Sequence, residues 1–421
     1  MSNKVVSIFG GGTISYLRTH LGLCVPAFGK TARRLAELCK EHSDTMDVKL
    51  HLTKMADNSS DIVTNKDLSN ALVDVVNDRK TKIIFWNTAV VDFDGTIEDV
   101  PSGQYATRLK TTAPDGQPIP YTVDLTATEK IVNIVRSNDG HSFGRKDITL
   151  ISFKTTDGET EREQYLAGLR LLKQSSSNLV LANDVKTRLN MVIVPEESAY
   201  YITTDREEAL RGLVKMAYDR SHLTFTNSIV VDGEPVSWES ELVPENLRTV
   251  VDYCIAQGAY KQFLGVTAGH FAAKLSDTEF LTSRRKTDFK DIRNVGLVKI
   301  KTDGPDTVFA YGSKPSVGGQ SQRIVFAEHP DTDCIVHFHC PLKPDSNVPT
   351  VSQEEFECGS HECGQNTSTG LKKFGNLYAV YLDKHGPNIV FSRHVDPHDV
   401  IDFIEENFDL KAKTDGYTII E

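Results

Sequence analysis

Six mostly apolar runs punctuate the first half of the chain: KVVSIFG, DVKLHLT, TKIIFWNTAVV, DITLISF, NLVLAND and NMVIVPE. Their length and content of β-branched residues fit strands buried on both faces. Between them apolar positions recur at helical spacing. In KTARRLAELCKEH, Ala32, Leu35, Leu38 and Cys39 fall on one face, and NKDLSNALVDVVND repeats the pattern. Strands that alternate with helices predict a parallel sheet covered on both sides. Residues 1–225 are therefore expected to form a Rossmann-like α/β domain.

The rhythm breaks at SHLTFTNSIVVDGEPVSWES (221–240), which looks like a connector with a hairpin at its Asp-Gly, and the linker between the domains is placed at 226–244. A second pattern follows. It opens with the helix PENLRTVVDYCIAQGAYKQF and continues through short strands at FLTS, GLVKIKT and TVFAYG. A helix near GGQSQRIVFAEH, strands at CIVHFHC and YAVYLDKHG, and a closing helix DPHDVIDFIEENF complete it. This predicts an α+β or α/β/α domain over 245–421.

Length and charge narrow the classes. A chain of 421 residues is too long for one ordinary core, so two domains are expected. A formal charge of −11 argues against a general affinity for nucleic acid or an anionic membrane, both of which want a basic face. No run reaches the roughly 20 apolar residues of a membrane span. The opening MSNKVVSIFGGGT enters a strand pattern directly, and seven cysteines without framework spacing fit a reducing compartment, so the cytoplasm is expected.

Two stretches carry candidate chemistry. In IFGGGTIS, three glycines follow the first strand. Such a turn can aim backbone N–H groups at an anion, or can simply be a tight strand–helix connection. In DCIVHFHC, His337 and His339 share one strand face while Val336, Phe338 and Cys340 share the other. The pair is either half of a metal site or two hydrogen-bonded core histidines. Cys358, His361 and Cys363, with Cys340 nearby, read as loop or buried thiols, or as a second soft-metal site.

GGTISYLRTHLGLCVPAFGKTARRLAE, followed in order by WNTAVVDFDG, TRLKTT, LISFKTTDGETE and NLVLANDV, resembles the phosphopantothenate–cysteine ligase family over most of residues 4–220. The resemblance implies that Gly11, Gly12 and Thr13 cradle nucleotide phosphates. Lys110, with Arg108, would lie over the triphosphate, and Asn183 and Asp184 near the nucleotide, CTP or ATP with Mg2+. Two positions depart from the family. Its intervening arginine and asparagine, which handle the acyl-nucleotide intermediate, fall on Leu21 and Val25, and neither side chain can donate a hydrogen bond.

AEHPDTDCIVHFHCP, YAVYLDKHGP and LGVTAGHFAAKLSDTEFLTS resemble the class II aldolase/adducin-like family, from about 245 to 410. That resemblance implies a catalytic zinc, or another divalent metal, held by His337, His339 and His385. Three histidines with one open position describe a catalytic rather than a structural site. It further implies that Thr267, Gly269, His270, Ser283, Arg284 and Arg285 hold a phosphate or hydroxyls of the substrate, with Lys286 adding a third cation. The aldolase acid falls on Gly318, so the loop carboxylates Glu354 and Glu355 are the candidate acid/base replacements.

The reading is a two-domain metabolic enzyme. A zinc lyase, dehydratase or aldolase-type site acts on a small phosphorylated hydroxy-carbonyl compound and is fused to a nucleotide-binding ligase-like domain. The alternatives are a variant phosphopantothenate–cysteine ligase with a regulatory aldolase-like domain, and a non-catalytic binding or scaffold protein. Both families assemble, as dimers and tetramers, which implies a homo-oligomer.

Overall fold

In the computed structural model of the protein, residues 4–42, 45–98, 103–136, 144–263, 265–316 and 320–414 are described, leaving aside the side chains of Gln320 and Ser321. The chain divides into two compact units. One comprises 1–194 and 200–221; the other comprises 195–199 and 222–421.

All six apolar runs of the first half are strands of one seven-stranded sheet. Its order is Ala199–Thr203, Asn190–Ile193, Leu179–Asp184, Thr149–Thr156, Thr81–Ala89, Lys4–Gly12, Met46–Leu52. Five neighbouring strands, from Leu179–Asp184 to Met46–Leu52, pair in parallel. Asn190–Ile193 departs from the parallel expectation and runs antiparallel to Leu179–Asp184. The physical reason is loop length: the chain returns over residues 185–189, too few for a crossover helix. The helices Lys30–His42 and Asn65–Asn77 fall where their periodicity places them. Leu35, Leu38 and Cys39 pack against Ile8, Phe85 and Leu181 on one side of the sheet. Leu68, Leu72 and Val76 pack against Phe9 and Ile84 on the other.

The second unit holds a ten-stranded sheet. The Asp-Gly hairpin expected in the connector does not form. Asn227–Val231 instead pairs in parallel with Thr307–Tyr311 at the sheet edge, and Val236 bridges Leu297. Helices Glu245–Ala256 and Pro397–Asn407 cover one face, burying Val250, Val251, Val400 and Ile404 with Val336 and Phe338. Helix Gln320–Glu328 covers the other through Val325 and Phe326, against Ala272, Ile335 and Val390. The α/β class, with a parallel-sheet first half and an α/β/α second half, is the one the apolar patterning predicts.

Candidate metal centre

The strand Cys334–His337 sits between His270–Lys274 and Gly386–Phe391, antiparallel to both. Alternation puts Val336 and Phe338 into the core beneath Glu245–Ala256 and sends His337 to the opposite face. The strand stops at His337, three residues earlier than the apolar run suggests. His339 nevertheless keeps its ring beside that of His337, with centroids 5.2 Å apart. Cys340 points the other way, its thiol against the Ala259 carbonyl.

His385 enters at the turn between Leu377–Leu382 and Gly386–Phe391. Its ring lies 4.5 Å from that of His337 and 4.8 Å from that of His339, centroid to centroid. The following glycine makes this approach possible. Gly386 has φ +144°, and a Cβ there would sit 2.1 Å from the Phe338 carbonyl oxygen. The histidine–glycine pair thus brings two strands close enough for their imidazoles to converge.

One ligand nitrogen from each of His337, His339 and His385 falls within 4.8 Å of the others. This is the one such group among the described residues. All three are buried, at 1, 5 and 2% exposure. Nδ1 of His337 lies 2.7 Å from the Pro387 carbonyl, which can only accept, so Nδ1 carries the proton and Nε2 keeps its lone pair. That Nε2 lies 3.1 Å from Nε2 of His385. Ligand nitrogens at about 2.0–2.1 Å from a tetrahedral zinc are about 3.3 Å apart, so the spacing suits an ion between them. Burial pushes the His337 ring down to about 4, against the weaker upward pull of the Pro387 carbonyl. Neutral imidazole is the form that binds metal. His270 lies across from His337 in register, its ring 4.9 Å away and its Nδ1 2.8 Å from Nε2 of Gln322. Burial and the neighbouring His337 hold it well below the usual histidine range.

A carboxylate that the sequence reading missed also faces this group. Glu197 belongs to the short segment Pro195–Ala199 assigned to the second unit, and its Oε2 lies 3.9 Å from Nδ1 of His339. No motif marks it. The only signal is an acidic pair, Glu196–Glu197, after a proline between two apolar runs.

The remaining expected residues are distributed as follows. Gly269 has φ +109° and would bring a Cβ to 2.5 Å from the His337 carbonyl, so it serves close strand approach beside the centre. Thr267 accepts from the Phe289 N–H, and Ser283 is fully buried. Arg284 is half-buried and Arg285 exposed, on the turn after Glu279–Thr282. Glu355 accepts from the Ser352 hydroxyl at 2.7 Å, and Glu354 is half-buried beside it. The Ser360 hydroxyl caps the helix His361–Gly370 by accepting from the Cys363 N–H, and His361 lies 3.0 Å from the Thr226 hydroxyl. Gly318 lies outside the described residues.

In the first unit the three glycines are not a strand–helix turn: they are the last residues of the strand Lys4–Gly12, followed by a second strand, Ile14–Arg18, and they are tightly packed by their own chain. A Cβ on Gly11 would meet Thr53, and one on Gly12 would lie 2.0 Å from the Val25 carbonyl. The buried Thr13 hydroxyl donates to Asn65 Oδ1 and accepts from the Val91 N–H. Asp184 is similarly engaged. Its carboxylate accepts from the Thr156 hydroxyl and from the N–H groups of Gly158, Glu159, Lys186 and Thr187. These bonds outweigh burial and hold it far below the usual carboxylate range. Asn183 is half-buried in the strand and Lys110 is exposed. Leu21 and Val25 are both partly exposed, at 41 and 39%.

The family model for the class II aldolase and adducin N-terminal domain matches residues 249–343, a span that includes His337 and His339 and ends before His385. No curated protein matches the chain. Among solved structures, the first half is similar to a DNA/pantothenate metabolism flavoprotein from Streptococcus pneumoniae, at 16% identity and a TM-score of 0.39, covering 52% of this chain and all of that one. It is also similar to a variant of Cab2 in complex with phosphopantothenate-cysteine, at 17% identity and a TM-score of 0.36, covering 52% of this chain and 87% of that one. The second half is similar to an L-fuculose 1-phosphate aldolase, at 18% identity and a TM-score of 0.30, covering 39% of this chain and 82% of that one. The class II aldolase resemblance read from the sequence thus recurs in the family model over 249–343.

Proposed function

We propose that the second unit is a divalent-metal lyase site of the class II aldolase type. It would act on a small phosphorylated hydroxy-carbonyl compound and is joined to a unit with a nucleotide-binding ligase fold. The observation that carries this reading is the convergence of three buried imidazoles, His337, His339 and His385, the first two of which lie in the segment that matches the aldolase family model.

The donor set fits zinc. Three imidazole nitrogens, with a fixed tautomer at His337, supply three-quarters of a tetrahedral shell and leave one position for substrate. When bound, the ion supplies Lewis-acid polarisation of a carbonyl oxygen. The chain supplies the rest. The Pro387 carbonyl keeps Nε2 of His337 as the free lone pair, and Gly386 and Gly269 bring the strands close. The full burial of Phe338 and Val336 beneath the histidines keeps that layer dry and fixed. Arg284 and Arg285 offer guanidinium groups that can take a phosphate in bidentate fashion.

Metal analysis of the full chain after zinc dialysis tests the reading. About one ion per chain is expected, lost in His337→Ala and in His385→Ala. Wild-type protein that holds no divalent metal would defeat it. Retro-aldol turnover is then expected only from zinc-loaded protein, with phosphorylated hydroxy-carbonyl substrates preferred over their unphosphorylated forms.

A further inference from the structure

We infer that Glu197 is a positioning residue of this centre: its carboxylate holds Nδ1 of His339 so that Nε2 turns toward the ion. The inference rests on the metal-centre reading above. It assigns a role to a residue far from the histidines in sequence and outside the segment that matches the aldolase family.

Each metal-binding imidazole needs an acceptor for its second nitrogen, which fixes both tautomer and ring orientation. His337 has one in the Pro387 carbonyl at 2.7 Å. For His339 the group at that place is Glu197, whose Oε2 lies 3.9 Å from Nδ1. This is longer than a hydrogen bond, but the terminal torsion of a glutamate is broad, and rotation within its well can close the gap. The two imidazole nitrogens point in widely divergent directions. A ring whose Nδ1 meets the carboxylate therefore aims Nε2 elsewhere, and the His337 and His385 rings lie 5.2 and 4.8 Å away, centroid to centroid.

The placement of Glu197 is strongly determined. The residue is 5% exposed and has φ +62°, a conformation that costs a non-glycine residue free energy and persists only when its surroundings impose it. Those surroundings are specific. Glu196 Oε1 accepts from the Cys358 N–H at 2.6 Å, and Lys413 Nζ donates to the Glu197 carbonyl at 2.6 Å. Lys384, the residue before His385, donates to the Ala199 carbonyl at 3.0 Å. Thr414, beside Lys413, donates its hydroxyl to the His385 carbonyl and its N–H to the His339 carbonyl. Bonds therefore run from Ala199 to Lys384, and from the Glu197 carbonyl through Lys413 and Thr414, to the backbone that presents the histidines.

The experiment compares full-length wild type with Glu197→Gln and Glu197→Gly, using zinc alone as the probe in competition with a chromogenic chelator. Zinc affinity is expected to fall roughly tenfold in Glu197→Gln and up to a hundredfold in Glu197→Gly, with one site retained. Metal-stripped Glu197→Gly is expected to melt no lower than wild type, because glycine relieves the positive φ. In zinc-loaded protein labelled with 15N-histidine, the His339 Nδ1–H signal should lie downfield and move upfield in Glu197→Gln. Should Glu197→Gly fail to fold, Glu197→Gln alone decides. Zinc affinity within twofold of wild type in Glu197→Gln, or a His339 signal unmoved, overturns the inference and leaves the metal centre standing. Wild type that binds no zinc overturns both.

Discussion

Gly386→Ala probes how much of the metal centre depends on backbone approach rather than on the histidines. The substitution adds one methyl group, 2.1 Å from the Phe338 carbonyl oxygen, at a residue with φ +144°. The carbonyl cannot easily retreat. The Phe338 side chain is fully buried, edge-on to Tyr260 and Phe408 at centroid distances of 6.2 and 5.8 Å. Backbone strain at such a φ costs about 1–3 kcal/mol, and forcing an extra carbon into a packed site costs about the same again. The sum is roughly 4 kcal/mol. In a unit of about 200 residues this lowers Tm by roughly 12 °C, at about 2–4 °C per kcal/mol. The transition to follow is the one that added zinc raises, since a ligand bound only by the folded form identifies its own unit. Because the strain falls on the residue after His385, zinc affinity should drop along with stability. A Gly386→Ala protein that melts within 2 °C of wild type and binds zinc equally well would refute the close-approach argument.

Other outcomes are expected elsewhere. Phe338→Ala removes a fully buried ring from the face opposite the histidines and should cost about 3–5 kcal/mol, read by urea titration of the zinc-sensitive transition. His51 stacks on Phe9 at 4.7 Å, and burial, with Lys49 nearby, pushes it down to about 4. The unfolded chain, with a histidine near 6.5, therefore takes up a proton that the folded one refuses. Wild-type stability should be full above pH 6.5 and fall toward pH 4, by roughly 2 kcal/mol after allowance for partial exposure. His51→Phe should flatten that part of the profile, and an unchanged slope would refute the assignment. Nucleotides test the first unit: CTP or ATP with Mg2+ at about a hundred times its Kd should add about 2.7 kcal/mol to stability. No thermal shift at millimolar nucleotide would count against the cradle, whose Gly12 already faces the Val25 carbonyl.

Much of the fold was legible because it rests on local patterns. The six apolar runs had to be buried on both faces, and the helical stripes between them had to cover the sheet. Asp-Gly at 232–233 misled, since a strong turn dipeptide yields when a neighbouring strand, Thr307–Tyr311, offers the preceding residues a full ladder. The antiparallel Asn190–Ile193 could have been inferred from its short connection but not from its composition.

The sequence alone put His337 and His339 on one side of an apolar run, since alternation is a property of extended backbone, although the strand itself ends at His337. It also singled out His385 and its glycine through a resemblance. Only the tertiary structure decided that these three nitrogens meet within 4.8 Å, and that Gly386 and Gly269 are the points of contact that let them. The same holds for Glu197, which lies 142 positions before His339 and carries no motif. Around it Lys384 and Lys413 hold the backbone carbonyls of Ala199 and Glu197, and the Cys358 N–H holds the Glu196 side chain. No periodicity encodes such long-range bonds, because each depends on where the rest of the chain has already folded.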